Sequence, residues 1–181
     1  FDYSGDEVWR TELGQESSNR RWGSAASPIV HGDFVIVNAS DESQSIRALD
    51  KTTGKEVWRA LEMTSEAGYS SPIIIDAGGV RQLILWHPTA LTSLNPETGD
   101  TYWEQEFLLD NGMAITTPIR SGQYLGVTHF RNGSMMMQLN GDRPAARMVW
   151  QGQSRSELPH LTDGLHSIIS TPIIVGDYLY G

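Results

Sequence analysis

Short apolar runs bounded by turn residues recur along the whole chain. FVIVNA follows Gly32-Asp33, VRQLILW follows Gly78-Gly79, YLGVTHF follows Gly122-Gln123, and YLYG follows Gly176-Asp177. Glycine tolerates the positive φ of a tight turn, so each run is predicted to be the second strand of a β-hairpin. No long stretch keeps the three-to-four residue apolar spacing of an amphipathic helix. The pattern therefore predicts an all-β chain.

Two further runs and a tryptophan phrase complete each unit. The first strand begins at a proline, as in SPIV, SPII, TPIR and TPII, and a third run precedes each tryptophan phrase, as in SIRALD, ALTSLNP and SMMMQLN. Proline is tolerated at the start of a strand because that position need not donate to the ladder. Residues 26–61 illustrate one such unit of four short strands.

The tryptophans give the length of the repeat. Trp9, Trp58, Trp103 and Trp150 recur at intervals of 49, 45 and 47 residues and close the phrases SGDEVW, TGKEVW, TGDTYW and NGDRPAARMVW. Units of about 40–50 residues that contain four strands are typical of β-propeller blades. We therefore predict an all-β β-propeller of four-stranded antiparallel blades. The blades are expected at 24–61, 69–107 and 112–152, with partial blades at 1–13 and 166–181.

The predicted blades fill only part of a ring. Propellers contain about four to eight blades and usually close, so we expect the 181 residues to form part of one larger propeller domain. A short open solenoid is the alternative, but it would expose a sheet at each end, which capping repeats normally prevent.

Composition and charge exclude several classes of function. The net charge of −9 argues against nucleic acid, which needs a basic surface. No apolar stretch is long enough to span a membrane, and the absence of cysteine excludes thiolate sites in this chain. The histidines show no metal-ligand spacing, and His31 is expected to be a solvated turn residue. We predict no metal site and assign no catalytic residue.

The tryptophan phrase resembles a known family motif. ALDKTTGKEVW at 48–58 is similar to the tryptophan-docking motif of pyrroloquinoline-quinone-type β-propellers, and LNPETGDTYW at 94–103 is a second copy. This quinoprotein-like family includes quinone-dependent dehydrogenases and uncharacterised secreted propellers. It also includes a non-enzymatic lipoprotein scaffold of the bacterial outer-membrane barrel-assembly machine. The resemblance implies a bacterial periplasmic, outer-membrane-associated or secreted location.

The docking motif has a structural explanation. A turn glycine adopts positive φ, and the indole that follows is large enough to reach a neighbouring blade and bury about 150–250 Å². Its N–H then needs an acceptor, such as a backbone carbonyl. The predicted structural set is Trp9, Trp58, Trp103, Trp150, Gly54 and Gly99. Trp22 lies outside the repeat, and both packing and lining the face of the ring remain open for it.

The resemblance also implies a cofactor for the enzymes of the family. Their alcohol dehydrogenases hold the quinone between a tryptophan and a disulfide of adjacent cysteines, beside a calcium ion bound by acidic and amide side chains. This chain has no cysteine, and none of its residues matches the calcium ligands. We therefore predict no cofactor, with pyrroloquinoline quinone and calcium as the alternative.

One connection departs from the repeat. Between Trp150 and Thr171 the chain runs for 21 residues, against 14 at the equivalent step from Trp103 to Thr117. Long connections that carry their own polar residues are often functional. A solvated insertion and a catalytic loop are the alternatives to a binding loop. The candidate binding residues are Arg155, Glu157, His160, Asp163 and His166.

Two hypotheses of function remain. The first is a non-catalytic envelope propeller that presents a loop face to a protein or a polysaccharide. The second is a quinone-dependent oxidoreductase with its redox site at the centre of the ring. Fold resemblance alone cannot assign catalysis, and no cofactor constellation is visible, so the first hypothesis is favoured.

Overall fold

The computed structural model describes residues 1–14, 25–39, 46–61, 68–110, 112–156, 158 and 160–181. These residues contain strands and turns but no helix. Trp22 and Glu157 lie outside the described residues. The chain forms two compact units, Phe1–Ala67 (unit 1) and Gly68–Gly181 (unit 2).

Fourteen strands are present in the described residues. The first sheet contains β1 (Ile29–His31), β2 (Phe34–Asn38), β3 (Ile46–Asp50) and β4 (Glu56–Ala60). The second contains β5 (Ile73–Ala77), β6 (Val80–His87), β7 (Ala90–Leu94) and β8 (Thr101–Glu106). The third contains β9 (Ile119–Ser121), β10 (Tyr124–His129), β11 (Gly133–Leu139) and β12 (Ala146–Gln151). A final hairpin contains β13 (Ile173–Val175) and β14 (Tyr178–Tyr180).

Each four-stranded sheet is an antiparallel meander whose strand order follows the sequence. The same irregularity recurs in every sheet, because the register shifts between the third and fourth strands at Ala48/Leu49, Ser93/Leu94 and Met136/Met137. A β-bulge bends its strand and redirects the adjacent side chains. In each sheet the shift lies beside the residue that pairs with the tryptophan of the fourth strand.

Unit 1 contains the first sheet together with the described residues 1–14. Ile36, Ala48 and Trp58 are buried in it. His31 is only 6% exposed, so the expectation of a solvated turn residue is wrong. The histidine is the last residue of β1 and pairs with Phe34 instead of lying in the turn. No strand is present in the described residues 1–14.

The core of unit 2 joins its two four-stranded sheets. Its buried cluster combines residues of the second sheet, such as Ile84 and Leu91, with Leu125, Met135 and Met137 of the third. The cluster combines aliphatic and thioether side chains with the aromatic rings of Trp86 and Phe107, and such groups pack closely. The two sheets therefore stabilise each other across their faces.

Hydroxyl groups join the starts of the first strands in unit 2. Ser70 Oγ donates to Thr116 O over 2.8 Å, and Thr117 N donates to Thr171 Oγ1 over 3.0 Å. Each bond connects one repeat to the next at the residues before the strand-initiating proline. The Ser/Thr-Pro phrases thus align consecutive repeats as well as starting strands.

Candidate functional site

The turn between the third and fourth strands is built by an Asp or Asn side chain. Asp50 Oδ1 accepts hydrogen bonds from Thr53 N at 2.7 Å and Thr53 Oγ1 at 2.9 Å. Asn95 and Asn140 accept backbone N–H groups at the equivalent places. The bonds from Thr53, first its hydroxyl and then its backbone, hold the pKa of Asp50 below its usual value. These side chains stabilise the turn by local bonding to the backbone.

Glycine completes this turn in the first two sheets. Gly54 and Gly99 have φ values of 71° and 79°, where a side chain is strained. In unit 1, Trp9 lies directly on Gly54, because a Cβ on that glycine would be 2.4 Å from the ring atom Cε3. Trp9 Nε1 donates to Lys51 O over 2.8 Å, and Thr11 Oγ1 donates to Gly54 O over 2.6 Å. An indole of one repeat thus covers the turn of the next.

Two other tryptophans use different partners. Trp103 Nε1 donates to Gln82 Oε1 over 2.9 Å, and this acceptor belongs to the tryptophan's own sheet. Trp150 is about half-exposed and packs on the long connection, where a Cβ on Gly164 would lie 2.7 Å from Cη2. Trp58 is buried in unit 1. The residues of the repeat are equivalent in sequence, but their contacts differ.

The candidate site lies at one end of the strands in unit 2, which we call the connection end. It is formed by four segments: the β6–β7 turn, the β8–β9 connection (107–118), the β10–β11 turn, and the β12–β13 connection (152–172). The β8–β9 connection follows the β6–β7 turn, since Leu109 N donates to Pro88 O over 2.9 Å. A cavity of about 230 Å³ opens among Phe107, Asn132, Gly152 and Arg155.

Asn132 and Asp110 connect three of these segments. Asn132 is buried, and its Oδ1 accepts from Asp110 N at 3.2 Å while its Nδ2 donates to Leu108 O at 3.3 Å. Arg155 Nη1 contacts both carboxylate oxygens of Asp110, at 2.9 and 3.0 Å. The pKa of the Asp110 carboxyl lies below its usual value. The largest cause is a hydrogen bond with the Asn132 side chain, and the hydrogen bond and charge of Arg155 add to it.

The long connection is folded back on itself by Asp163. Its carboxylate accepts from Gln153 N at 2.8 Å and from Ser154 N at 3.1 Å. The bond from the Gln153 backbone is the largest cause that lowers the pKa of Asp163 to about 2, and Ser154 adds to it. Asp163 therefore closes the loop by binding two backbone donors near its start.

The same connection is held to the β10–β11 turn. His166 Nδ1 donates to Phe130 O at 2.9 Å, which leaves Nε2 to accept from Ser154 Oγ at 2.8 Å. Leu165 O accepts from Ser134 Oγ and from Thr128 Oγ1. His166 is half-buried, whereas Arg155, His160 and Asp163 are exposed. The structure thus gives Arg155, Asp163 and His166 bracing contacts, while His160 has an exposed side chain.

Two buried histidines lie beneath this end. His87 Nε2 donates to Thr92 Oγ1 at 2.8 Å, and His129 Nδ1 accepts from the backbone N–H of Asn132 at 3.0 Å. Burial lowers the pKa of each ring to about 4, although Glu104 opposes the shift for His87 and Asp110 opposes it for His129. Both rings are neutral structural groups near neutral pH.

Exposed apolar side chains are carried by the connections at this end. Ile169 is 72% exposed, and it lies among charged and polar residues of the same segment. Contiguous exposed apolar patches on a protein surface mark interaction sites. The exposed aliphatic residues of the connections are Leu108, Leu158, Leu161, Ile168 and Ile169.

The alternative cofactor, pyrroloquinoline quinone with calcium, would need oxygen ligands for the metal. Calcium requires about six to eight oxygen ligands, and no group of three or more histidine, aspartate or glutamate side chains is close enough to hold a metal in the part of the chain described. No described helix is long and apolar enough to cross a membrane.

Comparison with known proteins identifies the family. The sequence matches the family described as outer membrane protein assembly factor BamB over residues 2–181. The chain belongs to the BamB family. One similar solved structure is BamB from Moraxella catarrhalis, with a TM-score of 0.55 and 18% sequence identity. The match covers 86% of this chain and 41% of that chain. Among curated proteins, no sequence matches.

The BamB-like match confirms the predicted fold class. The sheets are four-stranded and antiparallel, and the similar structure is a quinoprotein-like β-propeller. At 18% identity this likeness shows the fold alone. The chain spans 41% of the length of the similar structure.

Some residues of the site were missed by the sequence analysis. Gln82 is fully buried and accepts bonds from both Ser93 Oγ and Trp103 Nε1. Asn132 and Asp110 were also missed, because their contacts join segments that are far apart in sequence. The sequence signal that could have found Gln82 is a polar residue inside an apolar run.

Proposed function

We propose that this BamB-family chain is a non-catalytic scaffold that binds a protein of the outer-membrane assembly machinery through its connection end. The family description refers to an outer membrane protein assembly factor, and this supports a bacterial periplasmic or outer-membrane-associated location. The observation that carries the proposal is the set of exposed aliphatic side chains on connections that are braced to the sheets.

Bracing reduces the entropic cost of binding. The bonds of Asp163 and His166 hold the long connection before a partner arrives, and the exposed Asp110–Arg155 pair adds little to them. Binding then orders few additional residues, so more of the contact free energy is retained. Leucine and isoleucine anchors surrounded by polar groups resemble the centre and rim of a protein interface.

A protein partner fits this surface better than a polysaccharide. The most exposed apolar groups on the connections are branched aliphatic chains, which gain by filling apolar pockets of another protein. The charged residues Arg155 and Asp163 already bond within the protein.

Two substitutions test the proposed interface in the whole protein. Leu161→Asp and Ile169→Asp are expected to weaken binding to the assembly machinery at least about tenfold, because each places a charge in a desolvated contact. The measurements are co-purification from envelope membranes and photo-crosslinking from position 161. Val57→Asp is the control, because Val57 is also an exposed aliphatic residue but lies on β4 of unit 1.

The outcome shows whether the connection end is the interface. Loss of binding in both connection-end variants, with retention in the control, supports the proposal. Unchanged capture of the machinery by Leu161→Asp and Ile169→Asp would show that the connection end is not the interface.

A further inference from the structure

Four arginines gather at the opposite end of the same strands, which we call the turn end. Arg81 and Arg120 line a cavity of about 460 Å³, and Arg143 and Arg147 line a second cavity of about 330 Å³. We call these four residues the arginine cluster. The two cavities adjoin, because both are lined by Gln123, Leu139, Asn140 and Gly141.

The cluster reverses the overall charge of the protein locally. The chain has 13 basic residues against 22 acidic ones, yet Asp76 is the only carboxylate that lines either cavity within the described residues. Asp142 lies in the adjoining β11–β12 turn. Four guanidinium groups against one carboxylate make the lining of the two cavities positive, although other turns at this end carry Glu97, Asp100 and Asp177.

Arg147 Nη2 donates to Gln138 Oε1, whereas the other three arginines keep most of their side-chain donors unpaired within the described residues. Arg81 Nε lies 3.4 Å from Asp76 Oδ1 in an exposed pair, which contributes little. Arg120 donates Nε to Gly122 O over 3.0 Å, and neither of its Nη groups has a protein partner in the described part of the chain. The planar fork of arginine matches a carboxylate with two parallel bonds.

The spacing of the cluster is fixed by the β11–β12 turn. Asn140 N donates to Ala145 O at 2.9 Å, and Asn140 Oδ1 accepts from Asp142 N at 2.8 Å. This turn rests on the preceding sheet, since a Cβ on Gly78 would lie 2.0 Å from Arg143 O. The backbone at Arg143 is therefore held close to the β5–β6 turn, and Arg81 lies in β6 two residues after that turn. Binding a ligand between them requires little rearrangement.

We propose that the turn end of unit 2 binds an acidic peptide segment of a protein partner, whose carboxylates pair with Arg81, Arg120 and Arg143. A short segment meets only the local positive charge. A long polyanion or an anionic membrane also meets the net charge of −9 and is repelled by it. This site is separate from the proposed interface at the connection end, and neither depends on the other.

A peptide titration tests the assignment in the whole protein. The probe is a fluorescein-labelled peptide of alternating glutamate and serine, followed by fluorescence anisotropy at low ionic strength. Arg120→Gln combined with Arg143→Gln is expected to weaken binding about tenfold or more, which corresponds to the loss of charge-assisted hydrogen bonds. Arg131→Gln, an exposed arginine on the β10–β11 turn, is expected to change it less than about twofold.

Each remaining arm supports or overturns the proposal. The same peptide with glutamine in place of glutamate should not bind, and equal binding of both peptides would overturn carboxylate recognition. Equal losses in the double variant and in Arg131→Gln would show nonspecific attraction. Competition by inorganic phosphate at low concentration would reassign the site to small anions. Cluster-dependent binding to phosphatidylglycerol vesicles would reassign it to a membrane surface, and no peptide binding by the unmodified protein would refute it.

Discussion

At the scale of single residues, the environment decides what a repeated residue does. Gly54 adopts positive φ and also lies under the ring of Trp9, whereas Gly122 adopts positive φ with no atom near its missing Cβ. Both glycines avoid backbone strain, but only Gly54 also makes room for an indole. The two contributions can therefore be separated by substitution.

Gly54→Ala is expected to destabilise the protein more than Gly122→Ala. Gly122→Ala should cost about 1–2 kcal/mol for a left-handed backbone alone, and Gly54→Ala should cost a further 1–3 kcal/mol or so from overpacking. Denaturant midpoints measure both. If Trp9→Ala removes the excess cost of Gly54→Ala in a double-mutant cycle, the contact is the cause. Equal costs at the two glycines would contradict the close approach.

The buried histidines predict a loss of stability in mild acid. Their folded pKa values of about 4 lie below the value of about 6.5 for an exposed ring. Between these values the unfolded chain binds more protons than the folded one. The contribution of the two histidines to the free energy of unfolding is therefore fully present above about pH 6.5 and is lost as the pH falls. Each ring contributes up to about 1.4 kcal/mol per pH unit in that window.

Titration of His87 and His129 by NMR checks this prediction directly. Both rings should remain neutral down to about pH 5 in the folded protein. His87→Gln should also reduce the slope of unfolding free energy against pH. A folded-state midpoint near that of a free histidine would contradict the burial argument.

At the scale of elements, the long β12–β13 connection is a braced segment of the structure. Its start bonds to Asp163, and its later part bonds to Phe130 O, Thr128 and Ser134. The described residues of the loop are therefore held by polar contacts to its own backbone and to the β10–β11 turn. Length and polar content predicted a candidate binding loop, and its role in binding stays a prediction.

Asp163→Asn is expected to loosen this connection without unfolding the sheets. An amide offers one acceptor oxygen where the carboxylate offers two, so one of the bonds to Gln153 N and Ser154 N is lost. Hydrogen exchange at residues 153–156 should accelerate, while exchange in β10 and β11 should stay the same. Asp177→Asn, in the exposed β13–β14 turn, is the control. Unchanged exchange at 153–156 would show that other contacts hold the loop.

At the scale of the whole molecule, the chain combines a BamB-family propeller fold with two chemically different ends in unit 2. The connection end carries exposed aliphatic residues on braced loops, and the turn end carries the arginine cluster. A protein that carries both of the proposed surfaces could contact two partners at once. Its rigid sheets separate the two surfaces.

The scaffold proposal also predicts that this chain by itself binds no pyrroloquinoline quinone tightly. The described residues lack a cluster that could hold the calcium ion, and the chain has no cysteine. Calorimetric titration with the quinone and calcium is expected to show no sub-micromolar affinity. Tight binding would instead favour the oxidoreductase hypothesis.

The sequence by itself determined the strands, the turns and the four-stranded repeat. These features depend on local preferences, such as proline at strand starts and glycine at positive φ, and on apolar runs that repeat with the blades. The buried Met135 and Met137 in β11 follow from such a run. Local chemistry is written in neighbouring residues, so it can be predicted without knowing the packing.

Only the tertiary structure decided which equivalent residues acquire which partners. Trp9 covers a glycine turn, but Trp103 bonds to Gln82 and Trp150 packs on Gly164. The Asp110–Arg155 pair connects residues 45 apart in sequence. The arginine cluster contains residues from two sheets. Such contacts depend on the register of each strand and on how sheets pack, because a side chain finds its partner through space and not along the chain.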